Sequence, residues 1–175
     1  MNLLLKKYNP NWVNNFADIK LELDNGLPTI EYCIKHVGST AVPNLDSKPT
    51  IDIDIIYNNV ADFEKIKLSL EKLGYFHNGN QGIVDREVFK RNKQCKNEIL
   101  DSISHHLYVC TINSKALDRH VLFRNFLRQH DWARLTYQKM KYELAEKANQ
   151  DRKKYAALKE LYVNDFIDSI IKRVE

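Results

Sequence analysis

Cysteine, glycine and proline are scarce in this sequence, and long hydrophobic runs are missing. Among its 175 residues there are three cysteines, five glycines and four prolines. Cys33, Cys95 and Cys110 stand far apart without a C-x-x-C pair, so we expect free thiols in the reducing cytoplasm rather than a disulfide framework or a zinc site. No segment approaches the roughly 18–20 apolar residues that cross a bilayer, and the first residues lack the basic region and cleavage site of a signal peptide. We therefore expect a cytoplasmic globular protein without a membrane partner.

A large excess of either charge is also missing, but the charge is unevenly distributed. The formal net charge of +4 is too small to indicate a nucleic-acid partner, which also disfavours a transferase acting on RNA. Residues 1–114 contain 13 Lys and Arg against 14 Asp and Glu, whereas residues 115–175 contain 14 against nine. Basic helical segments are usually solvated surfaces, yet this one can also face an anionic substrate. We predict one compact unit, built of an α+β core over 1–114 and a helical cap over 115–175.

Hydrophobic periodicity predicts an α+β fold in the N-terminal part of the chain and helices alone in the C-terminal part. The first helix begins after Asn11 and has one apolar face made of Trp12, Phe16, Ile19 and Leu23. Alternating or continuous apolar residues indicate strands at 30–37, 50–57, 75–77, 86–91 and 105–112. Further helices are predicted at 59–73, 115–129, 131–148 and 151–173. The segment 93–104 is polar and is expected to be irregular.

The strongest predicted strand carries two carboxylates on one face. Side chains alternate along a strand, so Ile51, Ile53 and Ile55 share the face toward the core, and Asp52 and Asp54 share the other. Two carboxylates held this close among isoleucines are unfavourable unless a positive charge lies between them. Mg²⁺ is the natural candidate, with Mn²⁺ as a substitute, because Mg²⁺ takes one or two protein carboxylates plus phosphate oxygens. We therefore predict Asp52 and Asp54 as metal ligands and catalytic residues.

A glycine and a serine that precede this strand form a turn suited to binding a phosphate group. Gly38 lets the backbone approach a phosphate closely, and backbone N–H groups at such a turn form an anion site. Ser39 adds a hydroxyl donor. Twelve residues separate Ser39 from Asp52, and this turn, gap and Asp-x-Asp strand resemble the pattern of the nucleotidyltransferase superfamily. The resemblance implies that Asp52 and Asp54 hold Mg²⁺ against a nucleoside triphosphate while Gly38 and Ser39 hold its phosphates.

A longer string makes the resemblance more specific. Residues 36–43, His-Val-Gly-Ser-Thr-Ala-Val-Pro, followed by Leu45, Lys48-Pro49 and Ile51-Asp52-Ile53, resemble the GrpB family. The resemblance extends over the whole chain, through Tyr8-x-Pro10-x-Trp12, Leu73-Gly74-Tyr75, His106-Leu-Tyr-Val109, Phe123-Arg124-x-Phe126-Leu127-Arg128, Tyr137-x-x-x-Lys141 and Tyr155-x-x-x-Lys159. Asn44 departs from the family, which usually has glycine there, but Asn tolerates a positive φ. The resemblance implies a nucleotidyltransferase-like mixed β-sheet with flanking helices, in a family also found fused to some dephospho-CoA kinases.

A third carboxylate, which active nucleotidyltransferases usually place on a later strand, is missing from residues 105–112. Alternation puts His106, Tyr108 and Cys110 on one face of that strand. We predict His106 at the third position, as a general base or a metal ligand near neutral pH. A hydrogen-bonded structural histidine is the equal alternative, and it would leave a nucleotide-binding fold with little or no transferase activity.

Basic residues beyond the motif are candidates for phosphate binding. Arg124 suits planar, bidentate phosphate contacts. Two tyrosine–lysine pairs lie four residues apart and so on one helix face, namely Tyr137 with Lys141 and Tyr155 with Lys159. We predict Arg124 and Lys141 as phosphate-binding residues, together with Lys48 beside the Asp-x-Asp strand. A surface ion pair or a packing role is the alternative for each, and Lys48 can simply shape the turn with its proline.

The sequence supports two hypotheses for function. In the first, a Mg²⁺-dependent nucleotidyltransferase moves a nucleoside monophosphate from a nucleoside triphosphate to a hydroxyl group of an unidentified small acceptor, and pyrophosphate is released. In the second, a non-catalytic module of the same fold binds a nucleotide or a CoA precursor. The two hypotheses share the same ligand site around Asp52 and Asp54. They differ in whether His106 or another third group completes the chemistry.

Overall fold

Five strands and six helices make up most of the chain that the computed structural model describes, residues 3–92 and 95–174. The strands are β1 Tyr32–Val37, β2 Ile51–Tyr57, β3 Tyr75–His77, β4 Glu87–Arg91 and β5 His105–Thr111. The helices are α1 Trp12–Gly26, α2 Phe63–Lys72, α3 Glu98–Ser102, α4 Lys115–Gln129, α5 Asp131–Lys147 and α6 Arg152–Val174. Each strand begins and ends within two residues of its predicted position.

The strands form one mixed sheet in the order β1-β2-β5-β4-β3. β2 and β5 are parallel, whereas the other neighbouring strands are antiparallel. The strand that carries the two carboxylates therefore lies between β1 and β5. The predicted α+β fold, with a mixed sheet and flanking helices, is confirmed. Across the described residues, no helix combines the length and the apolar character needed to cross a bilayer.

The alternation along β2 separates the core from the candidate site. Ile51, Ile53 and Ile55 are at most 1% exposed and pack with residues of α1 and α2 in the larger hydrophobic cluster. Burying each such side chain contributes roughly 1.5–3 kcal/mol. A register shift by one residue would exchange them with Asp52 and Asp54, so the hydrophobic face strongly fixes the direction in which the carboxylates point.

A second hydrophobic cluster lies between α4, α5 and α6. Tyr137 and Tyr155 are almost completely buried there, together with Val42 and Leu45 from the loop between β1 and β2. The helical segment therefore packs directly on the loop that follows β1. Residues of both predicted parts share this cluster. The division of the chain after Ser114 stays a prediction.

The segment that was expected to be irregular contains one short helix. In α3, the side chain of Asn97 accepts a hydrogen bond from the N–H of Leu100 at 2.9 Å. A side-chain cap of this kind stabilises a helix that is too short to show a periodic pattern. The prediction for 95–104 was therefore wrong in part, and residues 93 and 94 lie outside the described residues.

Candidate functional site

The turn after β1 lies directly against the carboxylate of Asp52. Gly38 has a φ of 72°, in the left-handed region, and a Cβ at this position would lie 2.2 Å from Asp52 Oδ2. Glycine alone allows both the turn and this close approach. Ser39 then begins a 3₁₀ turn that extends to Ala41. The structure thus brings Gly38, Ser39 and Asp52 together, and their roles in phosphate and metal binding stay predictions.

The parallel register of β2 and β5 sets Asp52 opposite His106. His106 Nδ1 lies 2.8 Å from Asp52 Oδ1. Burial acts to raise the pKa of Asp52, but the hydrogen bond from His106 and nearby basic side chains, Lys159 among them, outweigh it and hold this pKa below its usual value. The carboxylate is therefore ionised at neutral pH and only accepts hydrogen bonds, so Nδ1 of His106 carries the proton that is donated.

Asp54 contacts a histidine that the sequence analysis did not predict. Its side chain is completely buried, and its Oδ2 lies 2.9 Å from Nδ1 of His120 on α4. Within the described residues, the other oxygen, Asp54 Oδ1, is buried without a hydrogen-bond partner. No local sequence signal marks His120, because the contact joins residues 66 positions apart and depends on how α4 packs against the sheet.

Two arginines of α4 fix the backbone around the turn. Arg124 Nη1 donates to the carbonyl oxygen of His36 at 2.7 Å, and Arg128 Nε donates to that of Ala41 at 2.8 Å. Carbonyl groups on both sides of Gly38 are thus held by charge-assisted hydrogen bonds. Arg128 lies in the same family-like string as Arg124, which is the signal that could have identified it. Binding of phosphate by Arg124 stays a prediction.

Three lysines surround a cavity beside Asp52. This cavity of about 330 Å³ is lined by Lys48, Lys141 and Lys159, and we call it the lysine cavity. Lys141 is 1% exposed, and its Nζ donates to the carbonyl oxygen of Asp46. Burial and the nearby charge of Lys159 hold the pKa of Lys141 well below its usual value and also lower the pKa of Lys48. Phosphate binding by Lys48 and Lys141 stays a prediction, and Lys159 joins them in the same cavity.

A second cavity meets the lysine cavity at Asp52. It has a volume of about 270 Å³ and is lined by Arg86, Arg119 and Arg124, and we call it the arginine cavity. Five residues line both cavities, namely Ser39, Asp52, Tyr108, Lys159 and Ile167. The two cavities therefore adjoin at these five residues.

The two carboxylates offer oxygen ligands of the kind that Mg²⁺ takes, although Asp54 is completely buried and lines neither cavity. Each uses one oxygen for a histidine, which leaves Asp52 Oδ2 against Gly38 and Asp54 Oδ1 without a partner in the described residues. Carboxylates that ligate metals are commonly hydrogen-bonded in this way. In the described part of the chain, no group of three or more acidic, histidine or cysteine side chains forms a complete metal site. Water and phosphate oxygens would supply the remaining ligands, as is usual for Mg²⁺.

Comparison with solved structures identifies the class of fold. The Cid1 poly(U) polymerase bound to MgGTP matches with a TM-score of 0.53 and 15% identity, over 80% of this chain and 44% of that chain. A Cid1 mutant bound to MgATP matches with a TM-score of 0.52 and 14% identity, over 82% of this chain and 45% of that chain. At such low identity the likeness shows the fold alone, and the fold is nucleotidyltransferase-like.

The chain belongs to the GrpB family, whose model, GrpB protein, matches residues 2–173. The crystal structure of the conserved protein GrpB from Enterococcus faecalis matches with a TM-score of 0.79 and 26% identity. That match covers 97% of this chain and 98% of the Enterococcus chain. The resemblance inferred from the sequence motifs is confirmed.

Relatives of this chain differ in length. The UPF0157 protein YqkA of Bacillus subtilis is 29% identical over 138 residues, which are 79% of this chain but 38% of YqkA. Glutamate-rich protein GrpB of Alkalihalophilus pseudofirmus is 27% identical over 169 residues, which are 96% of this chain and 95% of that protein. A UPF0157 protein of Pseudomonas aeruginosa is 35% identical over 147 residues, or 83% of this chain and 58% of the relative. The chain thus spans well under half of YqkA but nearly all of the Alkalihalophilus protein.

Proposed function

We propose that the protein is a Mg²⁺-dependent nucleotidyltransferase that transfers a nucleoside monophosphate from a nucleoside triphosphate to a hydroxyl group of a small acceptor. The observation that carries the proposal is the position of Asp52 and Asp54 on one face of β2, with the Gly38 turn directly against Asp52, in a nucleotidyltransferase-like fold. The modest size of the adjoining cavities favours a small molecule over a nucleic acid. We further propose a cytoplasmic location, where exposed thiols such as Cys33 stay reduced.

In this proposal the two carboxylates and the turn at Gly38 have distinct tasks. Asp52 and Asp54 would hold Mg²⁺, and the ion would neutralise charge on the phosphates. The backbone N–H groups of the turn at Gly38 and the hydroxyl of Ser39 bind phosphate oxygens. Three further basic residues line the two cavities and are the proposed phosphate contacts, namely Lys48, Lys141 and Arg124.

His106 serves as the general base in this proposal. Because its Nδ1–H donates to Asp52, the Nε2 of the neutral ring is the nitrogen that accepts a proton. Nε2 takes the proton of the acceptor hydroxyl as its oxygen bonds to the α-phosphorus, and the bond to pyrophosphate breaks. The hydrogen bond to Asp52 fixes the ring orientation for this transfer.

The non-catalytic module is the second candidate, and one observation favours it. The position opposite Asp52 on β5 carries His106 rather than a carboxylate. A binding module would retain nucleotide affinity without turnover. Incubating the protein and a cell extract with α-phosphate-labelled nucleoside triphosphates separates the two candidates, because transfer alone yields a labelled nucleotidylated product and free pyrophosphate.

The double variant Asp52→Asn with Asp54→Asn tests the metal assignment. We expect Mg-ATP at about one hundred times its Kd to raise the Tm of the wild type by roughly 5–10 °C. The double variant should lose this shift, because amide oxygens bind Mg²⁺ far more weakly than carboxylates do. Thermal unfolding with and without Mg-ATP measures the effect, and the same scan without ligand shows whether the variant folds.

The matched control replaces two exposed acids outside the site, Asp18→Asn with Asp165→Asn. It removes the same formal charge and should keep the full shift with Mg-ATP. Equal stabilisation of wild type and the Asp52/Asp54 double variant would show that the metal assignment is wrong.

A further inference from the structure

The arginine cavity has more positive charge than its walls neutralise. Among the described residues that line it, one carboxylate, Asp52, stands against four basic side chains, namely Arg86, Arg119, Arg124 and Lys159. The remaining wall includes apolar side chains of α4 and α6, such as Phe123 and Ile167. A basic and partly apolar cavity of about 270 Å³ suits a small anionic molecule.

Two of these arginines are already engaged by the protein. Arg119 forms an ion pair with Asp168 of α6 and also donates to Asn164 Oδ1 at 3.1 Å. Arg124 donates to the carbonyl oxygen of His36. These contacts hold α4 in place and use N–H groups that would otherwise be available to a ligand.

Arg86 differs from Arg119 and Arg124 because one of its buried N–H groups has no acceptor among the described residues. Its guanidinium carbon lies 4.5 Å from the centroid of the Tyr108 ring, a stacked contact that restricts the orientation of the side chain. Within the described residues, Arg86 Nε is buried and has no hydrogen-bond partner. A buried donor without an acceptor is unfavourable, and an oxygen of a bound anion would satisfy it. Arg86 is thus pre-oriented for an anion.

Arg86 also lies beside the groups that would carry out the reaction. It lines the arginine cavity together with Asp52, and it lines a third, more open cavity of about 460 Å³ together with His106. Tyr108, on which Arg86 stacks, is two residues beyond His106 on β5, and their ring centroids are 6.3 Å apart. A small molecule held by Arg86 in the arginine cavity therefore shares that cavity with Asp52, and Arg86 shares the third cavity with His106.

We propose that Arg86 binds a phosphate group of the acceptor, so that the second substrate is a small phosphate monoester with a free hydroxyl. This inference rests on the proposed function, in which the nucleotide phosphates lie at the Gly38 turn, where Ser39 lines both cavities, and it assigns Arg86 to the acceptor. The excess of basic side chains matches a dianion better than a neutral or singly charged group. The hydroxyl oxygen bonds to the α-phosphorus, its proton passes to His106 Nε2, pyrophosphate leaves, and the phosphate held by Arg86 stays intact.

The test uses the full chain saturated with Mg²⁺ and adenosine 5′-(α,β-methylene)triphosphate, which cannot be cleaved at the reacting bond. Inorganic phosphate is the probe, titrated calorimetrically at constant ionic strength, with acetate as the singly charged comparison. We expect phosphate to bind the wild type, and Arg86→Met to weaken that binding by about tenfold or more. Arg86→Lys should recover part of it, and affinity for the nucleotide analogue should change by less than about twofold.

Arg134→Met is the matched control. Arg134 also has a buried Nε without a partner in the described residues, but it pairs with Asp131 on α5 and does not line the arginine cavity. Unchanged phosphate binding in Arg86→Met, or an equal loss of phosphate and nucleotide analogue, would overturn the inference. If the wild type binds no nucleotide analogue, the proposed function fails instead. Titrating phosphate into the protein without nucleotide then still shows whether Arg86 forms an anion site.

Discussion

The sheet and the helical segment meet at the candidate site, where the sheet contributes acidic side chains and the helices contribute basic ones. β2 supplies both carboxylates, and β5 supplies the histidine opposite Asp52. The helices supply cations, among them Arg124 and Arg128, which hold backbone carbonyl groups on both sides of Gly38. The acidic groups are thus fixed by the hydrogen-bonded register of strands, whereas the basic groups are fixed by side-chain contacts between layers.

This difference indicates how the site combines rigidity with access. A strand register cannot shift by one residue without reversing every side chain, so the carboxylates have one possible direction. Helices that pack through side chains are specified less strictly, because small movements do not reverse their faces. We therefore expect changes on the sheet side to have large effects and changes among helical ion pairs to have small ones.

The largest effect is expected where the sheet side is most crowded, at Gly38. The variant Gly38→Ala adds a Cβ that clashes with the Asp52 carboxylate and also strains a positive φ. We expect it to lower the free energy of unfolding by about 2–6 kcal/mol and to abolish stabilisation by Mg-ATP. Urea unfolding and thermal shift measure both effects.

Gly79→Ala is the control for Gly38→Ala. Gly79 has a similar φ of 67° but no atom within 4 Å of the added Cβ among the described residues. The free energy of unfolding of Gly79→Ala should fall only by the roughly 1–3 kcal/mol that backbone strain costs. The variant should keep nucleotide binding. Equal losses in the two variants would mean that the contact between Gly38 and Asp52 does not shape the site.

An intermediate effect is expected at His36, where the helical arginines act on a buried residue of β1. Burial and the charges of Arg128 and Arg124 lower the pKa of His36 to about 4, against the opposing charge of Asp52. An unfolded histidine has a pKa near 6.5 and takes up its proton more readily. The contribution of neutral His36 to the free energy of unfolding is therefore complete above about pH 6.5. It is lost as the pH falls toward 4, by up to about 3 kcal/mol.

Urea unfolding between pH 7 and pH 4 measures this dependence. The variant His36→Gln cannot take up the proton and should show a flatter decline than the wild type over that range. His130→Gln, which removes a more exposed histidine outside β1, is the comparison for the loss of one imidazole ring. A decline of His36→Gln as steep as that of the wild type would contradict the prediction.

The smallest effect is expected for the ion pair between Arg119 and Asp168, which joins α4 to α6. Their side chains are 35% and 48% exposed, so water and salt screen the attraction. A double-mutant cycle with Arg119→Gln and Asp168→Asn should give a coupling energy below about 1 kcal/mol. A coupling above about 2 kcal/mol would show that the helical side is as rigidly specified as the sheet side.

Local patterns predicted most of the elements and half of the candidate site. The alternation of isoleucine and aspartate predicted β2 and its two faces, and a glycine followed by serine predicted the turn that lies against Asp52. The short helix α3 was missed because a single capped turn carries no periodic signal. His106 was predicted to share a face with Tyr108, but its hydrogen bond to Asp52 depends on the parallel pairing of β2 with β5.

By itself, the sequence determined the α+β class, the strand faces, the placement of Asp52 and Asp54 and the family. These follow from short-range sterics and burial, which act between residues close in the chain. Only the tertiary structure decided that His120 contacts Asp54, that Arg86 stacks on Tyr108 with an unpartnered Nε in the described residues, and that two cavities meet at Asp52. Such contacts join residues distant in sequence, and they form only when the helices pack on the sheet.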